Sequence, residues 1–220
     1  MRIVGISGSP RGRQSTTRVL VERVLEGGKE AGAQMEFIDI CAVKVAYCTG
    51  CGACHVTGKC PLKDEFGAIQ EKILAADGIV LGSPLYFNSI SAQLKAAIDR
   101  LSMPIHCQMF LGKYGCSVAS AGAPEPELAT DFMNQLLTRF GATVVGSAGV
   151  APAIPGAIEK AEQDALALGR DLVKAIKEKR TYPEQEAVHA QMLARFKMLM
   201  TMNKDCWPYE YGYWAERDWL

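Results

Sequence analysis

The 220-residue sequence predicts an α/β protein built on a doubly wound, five-stranded parallel sheet with helices on both faces. Three observations predict it. Short apolar runs of strand type alternate along the chain with segments whose apolar residues recur at helical spacing. The third such run, GIVLGS at 78–83, is apolar almost throughout, as a central parallel strand covered on both faces must be. The loops after the first and third runs, SGSPRGRQSTT and SPLYFNS, are rich in Gly, Pro and Ser. In a sheet of this kind ligands bind beyond the carboxyl ends of the strands, where the strand order reverses.

Each element follows in turn. RIVGI (2–6) is a first short strand. From Ser15 to about Ala31, Val19, Leu20, Val24 and Leu25 recur at helical spacing, and Gly27–Gly28 are expected to fray the end. MEFIDI (35–40) alternates as a second strand. A cysteine-rich segment precedes DEFGAIQEKILAAD, a helix with Asp64 as its expected cap. After GIVLGS come a helix over 90–102, a strand GCSVAS (115–120), a helix in PELATDFMNQLLTRFG and a fifth strand in ATVVGSAGV. Beyond residue 156, Ile158, Ala161, Ala165, Leu168, Leu172 and Ile176 mark one face of a long helix. A further helix, about 184–203, carries Val188, Met192, Phe196 and Met200 in one stripe and leads into an aromatic tail, CWPYEYGYWAERDWL. The expected organisation is one domain over 1–180 and a C-terminal extension over 181–220 that packs on the body or on a partner subunit.

Composition narrows the function. Lys plus Arg and Asp plus Glu are 24 each, so no charge excess points to nucleic acid or an anionic membrane. MRIVGISGSP reaches Gly, Ser and Pro too soon for a signal peptide, and the apolar stretch after residue 142 is broken by Gly and Pro. A cytoplasmic setting is expected. There, eight cysteines are better read as thiols or metal ligands than as structural disulfides.

The loop after the first strand suits an anion. Small residues let backbone N–H groups converge, and a helix N-terminus adds partial positive charge. Ser9, Ser15, Thr16 and Thr17 supply hydroxyls and Arg11 a guanidinium; the alternative reading is a polar capping turn. With neither GxGxxG nor GK[ST] present, a monophosphate such as that of FMN fits better than a dinucleotide or triphosphate. Pro84, Leu85, Tyr86, Phe87 and Asn88 could lie along a flat ring, with Asn88 donating to its polar edge. Ser120, Ala121 and Gly122, in the loop SAGAPEP, could close the pocket.

Cys48, Cys51, Cys54 and Cys60 form C-x2-C-x2-C-x5-C with Pro61 directly after. Successive x2 intervals open a ferredoxin-type run and suit a [4Fe-4S] cluster. Zinc, whose tetrathiolate sites more often use two separated knuckles, and redox-active thiols remain alternatives. Cys41, Cys107, Cys116 and Cys206 read as isolated small buried residues, His55 as exposed, His106 and His189 as without partners at ligand spacing. Asp99–Arg100 read as structural ion pairs near a helix end or as part of a dimer interface.

GSPRxxxST followed by GSPLYFNSxSAQLKxxIDR resembles the NADPH-dependent FMN reductase branch of the flavodoxin-like proteins, over roughly residues 1–150. With the cysteine run added, the chain resembles the iron–sulfur flavoproteins of that branch. The resemblance implies the strand order 2-1-3-4-5, FMN phosphate on Ser9, Arg11, Ser15 and Thr16, and the isoalloxazine ring along Pro84 to Asn88. It also implies a flavin-dependent oxidoreductase that converts between one- and two-electron transfer. Homodimers or dimers of dimers, ferredoxin-like or NAD(P)H donors, and small oxidants as acceptors are implied as well. A cluster-free NAD(P)H-dependent FMN or quinone reductase and a non-enzymatic carrier or redox sensor are the rival functions.

Overall fold

A computed structural model describes residues 1–122 and 125–220. Strands β1 (Arg2–Ser7), β2 (Gln34–Asp39), β3 (Gly78–Pro84), β4 (Tyr114–Ser120) and β5 (Thr143–Val150) form one parallel sheet in the order β2-β1-β3-β4-β5. The expected order is thus the observed one, and the reversal falls between β1 and β3.

Successive side chains on each strand enter different cores. Val4, Ile6, Ile79 and Leu81 face one side, where α3 (Phe66–Ala75), α4 (Ala92–Asp99) and α6 (Glu127–Arg139) deliver Phe66, Leu94, Met133 and Leu137. Ile3, Val80, Cys116 and Val118 face the other, against α1 (Thr16–Glu30) and α7 (Ala157–Glu178). Each fully buried Leu or Ile removes enough apolar surface from water to stabilise the fold by ~1.5–3 kcal/mol. Gly27 and Gly28, expected to fray α1, lie buried inside it. They face Leu166 and Gly169 of α7, and the close contact between the two helices, not local propensity, holds that last turn.

The C-terminal segment is helical. α8 (Pro183–Met202) starts with Pro183 in its first turn and Glu184 and Glu186 beside it, a favourable N-terminus. Met192, Phe196 and Met200 are buried as the stripe predicts. Gln185 covers the edge strand β5: its Oε1 accepts the Val144 N–H at 2.7 Å and its Nε2 donates to the Val144 carbonyl at 2.8 Å. The aromatic tail, read only as packing surface, contains a further helix, α9 (Pro208–Ala215). Pro208 ahead of Glu210 repeats the α8 start signal and could have revealed it. Trp214 is buried and donates Nε1–H to the His106 carbonyl at 3.0 Å. No helix among the described residues is long and apolar enough to cross a membrane.

Candidate functional site

The chain enters the first loop at the end of β1, and the loop is pinned before it can bind anything. The Gly8 N–H donates to the Gly82 carbonyl at 2.8 Å, and Ser91 Oγ donates to the Gly8 carbonyl at 2.6 Å. Ser91 also accepts the Leu94 N–H, so one hydroxyl caps α4 and ties it to the loop. Ser15 caps α1 by accepting the Arg18 N–H. Ser9 and Ser15 are buried, whereas Arg11 is exposed at the rim.

Beyond the ends of β1, β3, β4 and β5 lies a cavity of about 210 Å³. Ser9, Arg11, Ser15, Thr16, Pro84, Leu85, Tyr86, Ser120, Ala121 and Gly122 line it, as do Pro152 and Ala153 from the loop after β5. Residues 123 and 124 of the SAGAPEP loop lie outside the described residues. Thr17, Phe87 and Asn88 are not among the lining residues. Thr17 is buried with its hydroxyl 2.7 Å from Ser120 Oγ. Tyr86 and Ser89 exchange both backbone hydrogen bonds around Phe87 (φ 48°) and Asn88 (φ 60°). Two left-handed residues in succession make a tight I′-type turn, which costs ~1–3 kcal/mol of strain for a residue such as Phe. The turn leaves the Phe87 side chain fully exposed instead of lying over the cavity. Pro152 and Ala153 were missed because the sequence signal there reads only as a turn.

The four cysteines of the second segment surround a separate cavity of about 140 Å³ with Arg100, Asp99, Ser102 and His55. The loop that carries them turns at Gly50 (φ 65°), Gly52 (φ 72°) and Gly58 (φ 73°), all in the left-handed region that favours glycine. Between the last two lies α2 (Ala53–Thr57), a turn that presents Cys54 and His55. Cys48 and Cys51 are exposed, Cys54 and Cys60 half-buried. The Ala53 amide holds the Cys51 thiol below its ordinary range, whereas burial raises that of Cys54. The Gly50 N–H donates to Cys48 Sγ at 3.5 Å and Arg100 Nη2 to Cys60 Sγ at 3.2 Å. Among the described residues, no three of the four sulfurs lie within 4.8 Å of one another.

Several residues behave otherwise than the sequence reading expects. His55 is largely buried: its Nδ1 lies 2.6 Å from Glu210 Oε1, while His106 Nδ1 lies 3.0 Å from Glu210 Oε2. Because a carboxylate only accepts, both imidazoles donate Nδ1–H to Glu210, which is fully buried. The His55 and His106 rings stack with centroids 5.0 Å apart and 15° between planes, and Trp207 packs over both. With both Nδ1 atoms hydrogen-bonded to Glu210, the trio clamps together α9, the cysteine loop and α5 (Ser102–His106). His189 Nε2 lies 3.1 Å from the Ala142 carbonyl. Cys206 is exposed, while Cys107 and Cys116 are buried and their thiols pushed up by that burial. Asp64 accepts the Phe66 N–H as a cap, but its main partner is Arg100; Asp99 pairs instead with Lys95.

A family model described as NADPH-dependent FMN reductase matches residues 1–154. A protein of Archaeoglobus fulgidus named iron-sulfur flavoprotein is 32% identical over 226 residues, covering all of both chains. An iron-sulfur flavoprotein of Methanocaldococcus jannaschii is 44% identical over 120 residues, 54% of this chain and 61% of its own. Among solved structures, a flavone reductase superposes with a TM-score of 0.66 at 21% identity, over 80% of this chain and 63% of that one. A flavodoxin from the domain Archaea superposes with a TM-score of 0.55 at 17% identity, over 80% and 99%. At those identities the two structures speak for the fold alone.

Proposed function

The chain belongs to the NADPH-dependent FMN reductase family and, within it, to the iron–sulfur flavoproteins, and it is a flavin-dependent oxidoreductase; on that footing we propose that it binds FMN and a [4Fe-4S] cluster and converts between one- and two-electron transfer. FMN exchanges electrons singly or in pairs and such a cluster singly, and the cofactors supply that chemistry. The four-cysteine cavity at the far end of α4 from the FMN loop carries the proposal. A lone zinc at ~2.3 Å per sulfur draws tetrahedral sulfurs to about 3.8 Å from one another. Four thiols around one cavity of about 140 Å³ supply one ligand for each iron of a [4Fe-4S] cluster.

The remaining work belongs to the chain. Ser9, Ser15 and Thr16 would offer hydroxyls to the FMN phosphate where α1 begins, and Arg11, at the rim, would neutralise it with a paired donor. Pro84, Leu85 and Tyr86 would lie along the ring, and Ser120, Ala121 and Gly122 with Pro152 and Ala153 would close the rest of the pocket. Thr17 holds Ser120 in place through their shared hydrogen bond. Phe87 and Asn88 stand outside, where a second copy of the chain in a homodimer or dimer of dimers would meet them. Cys48, Cys51, Cys54 and Cys60 would ligate the cluster, and the Gly50 amide donates to the Cys48 sulfur. NAD(P)H or a ferredoxin-like protein supplies electrons and a small molecule accepts them. A cytoplasmic setting keeps the exposed Cys48 and Cys51 reduced until they are metallated.

Anaerobic purification followed by iron, acid-labile sulfide and FMN analysis tests the reading. About four irons and four sulfides per chain are expected, lost together in Cys51→Ala while FMN stays bound. FMN with zinc or no metal, even after reconstitution, would leave a cluster-free flavin reductase. For the phosphate site, Arg11→Ala is expected to weaken FMN binding by roughly 10- to 100-fold, the value of hydrogen bonds to a charged group. Fluorescence titration of the apoprotein reads it, and an unchanged affinity would put the phosphate elsewhere.

A further inference from the structure

Arg100 ends α4, and its guanidinium is fully enclosed: the side chain is 1% exposed. Nη1 is ion-paired with Asp64 and donates to the Ala46 carbonyl at 3.3 Å, and Nη2 donates to Cys60 Sγ at 3.2 Å. The Phe66 ring covers one face, 4.3 Å from the guanidinium carbon. Nε is buried and has no partner. A structural role alone explains this poorly. A buried ion pair is often no more stabilising than apolar side chains of the same volume, and an unpartnered buried donor adds a further cost. Arg100 also lines the four-cysteine cavity, where its Nη2 meets the Cys60 sulfur.

We propose that Arg100 is a positioning residue that sets the reduction potential of the metal–sulfide centre by acting through Cys60. This rests on the cluster reading above. Reduction adds one electron to the centre, with no bond made or broken, and so adds one negative charge beside a fixed cation. The cation favours the reduced state, and the N–H···S bond drains charge from a ligand sulfur in the same direction. Burial keeps salt from screening the interaction, and arginine does not lose its proton. Asp64 opposes the effect with the opposite charge from the same pocket. The pair therefore predicts two shifts of opposite sign, which loosened packing does not.

The test is an anaerobic redox titration of the FMN-loaded holoenzyme with dithionite as electron donor. The reduced cluster is followed by its electron paramagnetic resonance signal and FMN by absorbance. Arg100→Met is expected to disfavour cluster reduction at least tenfold, a fall of about 59 mV for one electron. Arg100→Lys, which keeps the charge and loses the planar fork, is expected to fall less. Asp64→Asn is expected to raise the midpoint, and the FMN midpoints to move much less in every variant. An Arg100→Met protein with full iron and sulfide and an unchanged cluster midpoint overturns the proposal. If that variant fails to hold its metal, Asp64→Asn decides, and an unchanged or lowered midpoint there overturns it equally. Wild-type protein without iron and sulfide after reconstitution defeats the cluster reading itself, and metal analysis shows that failure before any variant is made.

Discussion

Gly169→Ala is expected to lower the melting temperature by roughly 4–8 °C, although alanine is the better helix former. α1 and α7 lie side by side on one face of the sheet and meet backbone to backbone. A Cβ at Gly169 would sit 1.9 Å from the Val24 carbonyl oxygen and 2.9 Å from the Gly28 nitrogen; one at Gly27 would sit 2.0 Å from the Leu166 oxygen. Close carbon–oxygen contacts need about 3.3 Å, so the axes must part by roughly 1 Å or more. No rotamer change relieves a clash with backbone. Overpacking on this scale costs about 3 kcal/mol and helix propensity returns about 1, which leaves a loss of ~2 kcal/mol. Gly67→Ala in α3 is the control, because a Cβ there meets nothing within 4 Å. The same substitution should raise the melting temperature there by up to about 2–4 °C, the worth of ~1 kcal/mol in a chain of this size. Equal behaviour at the two sites in thermal unfolding would refute the close helix contact.

Glu210→Leu is expected to free α9 from the cysteine loop. The substitution leaves two imidazole N–H groups beside an apolar side chain, in a site where Glu210 is fully buried. Breaking such a buried set costs about 3 kcal/mol, which multiplies the detached population by ~100. Limited proteolysis across 203–207, where the chain leaves α8, reads that population directly. Glu210→Gln should be milder: its amide keeps one acceptor and offers a donor to the second ring in its other tautomer. Because His55 follows Cys54 directly, the leucine variant should also hold the proposed cluster less well than the glutamine variant. Wild-type resistance to protease in the leucine variant would mean that Trp207 and Trp214 hold the tail without the clamp.

Much of this molecule is legible locally. The strands, the long α7 stripe and the α8 stripe follow from apolar spacing within one element, and parallel α/β units admit few sheet orders. The two Gly-, Pro- and Ser-rich loops reach the expected cavity because topology places the ends of β1 and β3 side by side. Only the tip of the loop after β3 stands outside that cavity, where left-handed backbone at Phe87 and Asn88 leaves both residues exposed. Gly27 and Gly28 mislead for a related reason. Locally a glycine weakens a helix, while in tertiary structure it admits a second backbone.

The sequence by itself determined the sheet, the pocket position and the crowded thiols at 48, 51, 54 and 60, because periodicity and ligand spacing are written within a turn or a loop. Only the tertiary structure decided what surrounds those thiols. Asp64, which looked like a helix cap, is the counter-ion of Arg100; Arg100 reaches Cys60 from 40 residues away; and His55 finds Glu210 across 155 residues. Partners of buried charges are chosen by which elements pack together, since each must find its hydrogen bonds wherever the fold encloses it. No local pattern records that choice.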